Sequence, residues 1–301
     1  MSPLPPPRVA AIHDLSSLGR CALTVIIPTL SVMGYQVVPI PTALLSTHTG
    51  GFTDLHFRDL SADMEAVGDH FSRLGTTFRA LYTGFLGSAR QIETVSRLIS
   101  RFGDTPDESG QKPLVLIDPV MGDDGKRYST YTDELMQGMK RLSQHASVLT
   151  PNLTEACFLT NTSYIDTKSM TDPDATAFAD LLLDKLSTVT TGRTVITGIH
   201  LADGCVANIG RDADGTRFCV KRQHEARSYP GTGDLFASVL LGELLRGVSF
   251  CDACASAADF TCEVIHVSSK IPTEARYGVA LEPLLWKLPQ HQSNRKDTDH
   301  A

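Results

Sequence analysis

Six short apolar runs, each followed by a longer stretch with helical spacing, recur along this chain. That alternation is what a parallel sheet with crossover helices requires, and few other architectures accommodate it. The runs fall at 9–12, 36–40, 80–83, 114–118, 147–150 and 194–197. Helices are expected near 21–33, 57–73, 88–101, 132–143, 173–186, 234–246 and 251–267. Two later runs, 205–209 and 217–221, flank the turn-rich 210–215 and read as an antiparallel hairpin. The expected fold class is α/β, a mostly parallel central sheet covered on both faces, with a late antiparallel hairpin. A chain of 301 residues is within reach of one such domain, over 9–289, between a Pro-rich tail at 1–8 and a polar tail at 290–301.

Composition excludes several functions. Apolar residues make up 42% and charged residues 20%, which is ordinary globular usage and argues against disorder. A net charge of −7, with no basic cluster beyond Lys221–Arg222, speaks against a nucleic-acid partner. No apolar run approaches the roughly 20 residues of a membrane span, and 1–8 lacks the apolar stretch of a secretory signal, so no membrane partner and a cytoplasmic location are expected. Seven cysteines without paired spacing read as reduced thiols; the C-x-x-C of Cys251 and Cys254 opens an apolar helix, with Cys262 further along it, and is expected to be buried hydrophobic surface.

In parallel sheets, ligands bind beyond the carboxyl ends of the strands, and that is where the polar signals collect. The strongest is Tyr229-Pro230-Gly231-Thr232-Gly233-Asp234, directly before an apolar helical run. Gly231, Thr232 and Gly233 at a helix start let successive amides face an anion. Asp234 in the first turn is placed to take the proton of a hydroxyl beside an incoming phosphoryl group. An isolated motif of this kind would more simply be a capped helix behind a tight turn; the other motifs, in order at strand ends, favour the catalytic reading.

The next signal is Thr150-Pro151-Asn152-Leu153-Thr154-Glu155. Asn152 and Glu155 on one side of a starting helix suit Mg²⁺ and its waters, or else form a capping box. In Asp118-Pro119-Val120-Met121-Gly122-Asp123, the acids Asp118 and Asp123 suit a cation, with a Pro-Gly-Asp turn as the plain alternative. Two early segments, His13-Asp14-Leu15-Ser16 and Ser46-Thr47-His48-Thr49-Gly50-Gly51, are dense in donors and acceptors able to grip a small polar ring. From spacing alone a solvated loop is the simpler account of both, with His48 satisfying backbone groups.

Together the motifs H-D-L-S-x-x-G-R, S-T-H-T-G-G, D-P-V-M-G-D, T-P-N-x-x-E and P-G-T-G-D-L-F-A-S resemble the pyridoxal (vitamin B6) kinase family of the ribokinase superfamily, over most of 9–267. The G-T-G-D motif is shared by many sugar and vitamin kinases, and the H-T-G segment narrows the likeness to the B6 branch. The resemblance implies a ribokinase-like three-layer α/β/α sandwich, commonly a homodimer, that phosphorylates a hydroxymethyl group with ATP. It implies that Asp234 is the base and Gly231 to Gly233 the anion hole. Asp118 and Glu155, with Asp123, would serve Mg²⁺ and a monovalent cation such as K⁺. Asp118, Thr150, Asn152, Thr197 and Gly198 would lie near ATP, and Asp14, His48, Thr49 and Phe85 at the B6 vitamer. The chain departs from the pattern in two places: Asp14 stands where many relatives have Ser, and Ala43-Leu44-Leu45 replaces a segment that often carries Gln. An acid at 14 is expected to favour a protonated ring nitrogen or the amine of pyridoxamine. The stretch 222–227 is expected to cover the adenine. A hydroxymethylpyrimidine kinase is the alternative enzyme; a silent binder of the same fold would lack the base or a magnesium acid, and both are present. A sugar kinase would carry more Asn and Asp in the early loops.

Overall fold

A computed structural model of the chain describes residues 5–225 and 227–289, so the polar stretch at 290–301 and the first four residues of the Pro-rich stretch lie outside the described residues. Successive residues of the first strand enter opposite cores, Val9 and Ala11 on one side and Ala10 and Ile12 on the other. Apolar side chains on both faces at a period of two are what a strand inside a covered parallel sheet needs.

The elements in chain order are β1 (Arg8–Ile12), β2 (Leu15–Leu18), α1 (Leu23–Val32), β3 (Gln36–Pro39), β4 (Ala43–Thr47), β5 (Phe57–Asp59), α2 (Ser61–Arg73), β6 (Ala80–Thr83) and α3 (Ala89–Phe102). There follow β7 (Leu114–Ile117), β8 (Gly122–Asp123), β9 (Lys126–Arg127), α4 (Asp133–Ser143), β10 (Val148–Leu149), α5 (Leu153–Leu159) and α6 (Asp172–Leu186). The chain closes with β11 (Arg193–His200), β12 (Cys205–Arg211), β13 (Arg217–Gln223), α7 (Thr232–Leu245) and α8 (Phe250–Ser269).

Eight strands make the central sheet, in the order β13-β12-β11-β10-β7-β6-β1-β3. Pairing is parallel from β3 to β11 and antiparallel at β12 and β13, as the hairpin pattern predicts. Helices α1, α7 and α8 share the core on one face, and α2 to α6 the core on the other, so the expected three layers are present. From Leu235 to Leu245 every residue of α7 is buried, because this helix is covered by neighbours all round. That fixes its first turn, and the motif on it, against the sheet.

Four expectations are corrected. The helix placed at 57–73 begins only at Ser61, because Phe57, Arg58 and Asp59 pair antiparallel with β4. Parts of the two early polar segments are strands, not loops: β2 pairs parallel with β4, and with β5 they make a small second sheet. Of the C-x-x-C pair, Cys254 is buried but Cys251 is exposed, and all seven cysteines are free thiols. The first strand also starts at Arg8, one residue earlier than expected.

Candidate active site

The polar motifs converge because β1, β6, β7 and β10 end on the same side of the sheet, and parallel strands present their carboxyl ends together. A cavity of about 900 Å³ opens there, bordered by all of the site residues singled out in the sequence: Asp14, His48, Thr49, Phe85, Asp118, Asp123, Thr150, Asn152, Glu155, Thr197, Gly198 and Gly231 to Asp234.

Gly231 caps α7 with φ 82°, a left-handed conformation natural to glycine. The amides of the first turn follow at the positive end of the helix dipole. Asp234 sits on that turn, and its Oδ2 accepts a hydrogen bond of 2.8 Å from the amide of Ala22, the residue that caps α1. Ala22 holds φ 47°, which is unusual for a residue with a side chain. Local strain is therefore carried where one helix start addresses the carboxylate on another. Burial, reinforced by the charge of Asp14, pushes the Asp234 pKa up to about 7.

Asp118 follows β7 and lies beside the first turn of α7: a Cβ added at Gly233 would be 4.0 Å from its Oδ2. Burial first, then the charge of Asp234, raises its pKa to about 8. Glu155 is buried too, and burial together with Asp118 raises it well above the usual carboxylate range. The capping box is real: Asn152 Oδ1 accepts from Glu155 N at 2.9 Å and Glu155 Oε2 accepts from Asn152 N at 2.8 Å. Glu155 Oε1 accepts from Met121 N at 3.1 Å, and Asn152 Nδ2 donates to Gly122 O at 2.8 Å. The capping-box alternative is thus present, and each Glu155 oxygen, accepting one hydrogen bond, retains capacity for a second. Among the described residues no three His, Cys, Asp or Glu side chains converge as a metal cage would. Two mutually repelling buried acids with open room beside them fit magnesium, which binds through one or two carboxylates and completes its shell with water and phosphate oxygens.

Thr197 and Gly198 reach the cavity through an irregularity in β11, where the register with β12 shifts between Ile196 and Ile199. Thr197 N donates to Pro151 O at 2.9 Å, tying this bulge to the Asn152 loop.

At the other end, Asp14 is 8% exposed and its Oδ2 accepts from the Ser16 hydroxyl at 2.9 Å. Both ring nitrogens of His48 are engaged by backbone: Nδ1 accepts from Gly50 N at 3.1 Å, so Nε2 donates to Arg276 O at 2.6 Å. His48 therefore orders the Thr49–Gly50 loop and offers a ligand its ring, not its nitrogens. Phe85 and Leu45 supply apolar wall.

Sequence reasoning gave no separate role to His13, which is buried, packs edge-on against Tyr82 at 4.3 Å and has no partner for Nε2. Burial pushes its pKa down to about 3, so the ring is neutral. Gly84 makes room for it, because a Cβ there would be 2.5 Å from His13 Cε1. Also missed were Asn208, whose Oδ1 accepts from Gly198 N at 3.2 Å, and the edge-to-face pair His200–His224.

The raised acids make a stability prediction. A carboxyl whose folded pKa lies above its unfolded value stabilises the fold below about pH 4 and loses that contribution as pH rises through the folded pKa, here about 7 to 8. Metal-free protein should therefore lose melting temperature between pH 5 and 8, and Asp118→Asn should flatten the fall by on the order of a few degrees. Parallel melting curves for the two proteins across that window would contradict the assignment.

A buried carboxylate on a helix start, the row of amides beside it and a pair of buried acids facing one cavity are what phosphoryl transfer to an alcohol group requires. The chain belongs to the phosphomethylpyrimidine kinase family, whose model matches residues 26–278. It is similar to the pyridoxine/pyridoxal/pyridoxamine kinase of Bordetella avium, with 29% identity over 253 residues, 80% of this chain and 78% of the relative. Among solved structures it is similar to a Bacteroides thetaiotaomicron protein named for phosphomethylpyrimidine kinase, with 35% identity, a TM-score of 0.85 and 96% of each chain covered. A second crystal form of that protein contains pyridoxal. Pyridoxal kinase from Lactobacillus plantarum is 28% identical with a TM-score of 0.82, over 94% of this chain and 96% of that one. The resemblance to B6 kinases and the ribokinase-like architecture both hold. No helix among the described residues is long and apolar enough to cross a membrane.

Proposed function

We propose that this chain transfers the terminal phosphoryl group of ATP to the 5′-hydroxymethyl group of pyridoxal, pyridoxine or pyridoxamine, a B6 salvage reaction. The single observation that carries the choice of acceptor is the pyridoxal held by the Bacteroides relative, 36% identical to this chain in that crystal form. The site supports it. The acceptor ring lies at the His13, Asp14, Thr49 and Phe85 end, and the nucleotide runs past Thr150, Asn152 and Thr197 toward 222–225 and Arg227, the described part of the stretch expected to cover the adenine. Asp234 takes the hydroxymethyl proton, and the amides of Gly231 to Gly233 receive the charge that develops on the transferred group. Asp118 and Glu155, with Asp123 at the rim, hold magnesium. When bound, it neutralises phosphate charge. A homodimer formed through the small sheet is part of this reading, supported by Leu18, Leu44 and Phe57, which are exposed on it.

Asp14 selects among acceptors. A buried carboxylate is costly unless it meets a cation or a donor, and a protonated ring nitrogen or an ammonium group supplies one. Turnover of purified protein with ATP and a panel of the three vitamers plus hydroxymethylpyrimidine tests the whole reading. The vitamers are expected to have the higher kcat/KM. Phosphorylation of hydroxymethylpyrimidine alone would establish the second reading, which the matched family model favours. No turnover of any acceptor would leave a binder. In Asp14→Asn the preference for pyridoxamine over pyridoxal should drop roughly tenfold, the worth of one charge-assisted hydrogen bond. Unchanged relative kcat/KM values would remove Asp14 from acceptor choice.

A further inference from the structure

Among the described residues, eight carboxylates and three cationic side chains line the cavity. For a site that must admit a polyphosphate this is an unfavourable balance, and two of the three cations are already committed. Arg222 grips Asp259 through two nitrogens, Nε to Oδ1 and Nη2 to Oδ2, the latter at 2.7 Å. Arg227 donates from Nη2 to Thr273 O at 2.8 Å and lies 5.2 Å above the Tyr229 ring. Lys168 is different. Among the described residues its ammonium group has an ion-pair partner in Asp124 alone, at 4.0 Å, and the two side chains are 53% and 78% exposed. At that distance and exposure the pair contributes little and is readily exchanged.

The position of Lys168 gives it a purpose. It stands on a single 3₁₀ turn, Thr167–Ser169, which Asp166 caps by accepting from Lys168 N at 3.0 Å. The turn faces the β8–β9 hairpin, where Tyr164 packs on Gly125 and Gly125 N donates to Thr154 Oγ1 at 2.8 Å. Lys168 borders the same cavity as Asp123 and as His200, which lies just past the Thr197–Gly198 bulge. The nucleotide placement given above brings the phosphates into the cavity that its four-carbon arm borders.

We propose that Lys168 exchanges Asp124 for the terminal phosphates of the bound nucleotide, closing the open side of the polyphosphate path as a cationic clamp. The inference rests on the nucleotide placement given above. Asp124 is then a resting partner that holds the ammonium group at the cavity mouth until the more highly charged phosphate displaces it.

Equilibrium binding separates this from a merely structural lysine. Affinities of wild type, Lys168→Met and Lys168→Arg are measured for the magnesium complex of a non-hydrolysable ATP analogue and for adenosine, which lacks phosphates. Lys168→Met is expected to weaken the triphosphate about tenfold or more and to change adenosine binding less than about twofold, with Lys168→Arg recovering most of the loss. Asp124→Asn, which frees the lysine, should leave triphosphate binding equal or tighter. Equal triphosphate affinity in Lys168→Met, or a parallel loss for adenosine, would overturn the clamp. Wild-type protein that binds neither nucleotide would instead overturn the kinase reading beneath it.

Discussion

Turnover in Asp234→Ala is expected to fall by about 10²- to 10⁴-fold, the usual contribution of a positioned general base, with ATP affinity changed only a few-fold. The split follows from geometry. The Asp234 carboxylate accepts from Ala22 N and lies near Asp14, at the end of the site proposed above for the acceptor. Removing it takes away no contact with Thr150, Asn152 or Thr197 on the nucleotide side. Single-turnover measurements would show the loss in the chemical step. The same group predicts an acid limb. A base must be unprotonated, so kcat/KM for the acceptor should decline as pH drops below about 7, where burial has placed the Asp234 carboxyl. Asp234→Asn keeps the shape and loses the base, and its residual rate should lack that limb. Near-normal turnover in either variant would remove Asp234 from the mechanism.

How much of this was legible beforehand depends on what fixes each residue. The middle of the large sheet could be read because inner strands there are buried on both faces and carry that requirement in consecutive side chains, as 9–12 and 80–83 do. The small sheet could not. Phe57-Arg58-Asp59 has no strand period of its own and becomes β5 only through pairing with Ala43, Leu44 and Leu45, a tertiary event that overrides its neighbouring helical pattern. The site divides in the same way. Asp118, Thr150 and Asp234 could be located because each is attached directly to a strand end or helix start whose place in the sheet is implied. Lys168, His200, Asn208 and His224 come from a 3₁₀ turn, the end of β11, β12 and the segment after β13, and their meeting at one cavity is decided by packing between segments distant in the chain. Glu155 is the instructive intermediate. Its spacing from Asn152 fits a capping box and a cation site equally; the structure makes the hydrogen bonds of the first, and the nearness of the carboxylate to Asp118 leaves the second as the proposal.

The second large effect is expected at Gly231, and it separates backbone from chemistry. An alanine there must hold φ 82°, at a cost of roughly 1–2 kcal/mol, and its Cβ would overlap the carbonyl oxygen of Arg20. Because that obstacle is backbone, overpacking adds about 1–3 kcal/mol unless the helix start moves. Both responses damage the site: strain lowers the melting temperature, and movement turns the amides away from the developing charge. Loss of one such donor typically lowers kcat by about 10²- to 10³-fold. Gly233→Ala is the control. It lies two residues on, inside the first turn, with no left-handed φ, and its Cβ would meet nothing nearer than Asp118 Oδ2 at 4.0 Å. Alanine is there a better helix former than glycine, so stability should hold or rise by about 0.5–1 kcal/mol. Thermal melts and kcat for the pair distinguish the two roles: if Gly231→Ala melts and turns over like wild type, the left-handed cap is dispensable and the amide row does not act as the anion hole.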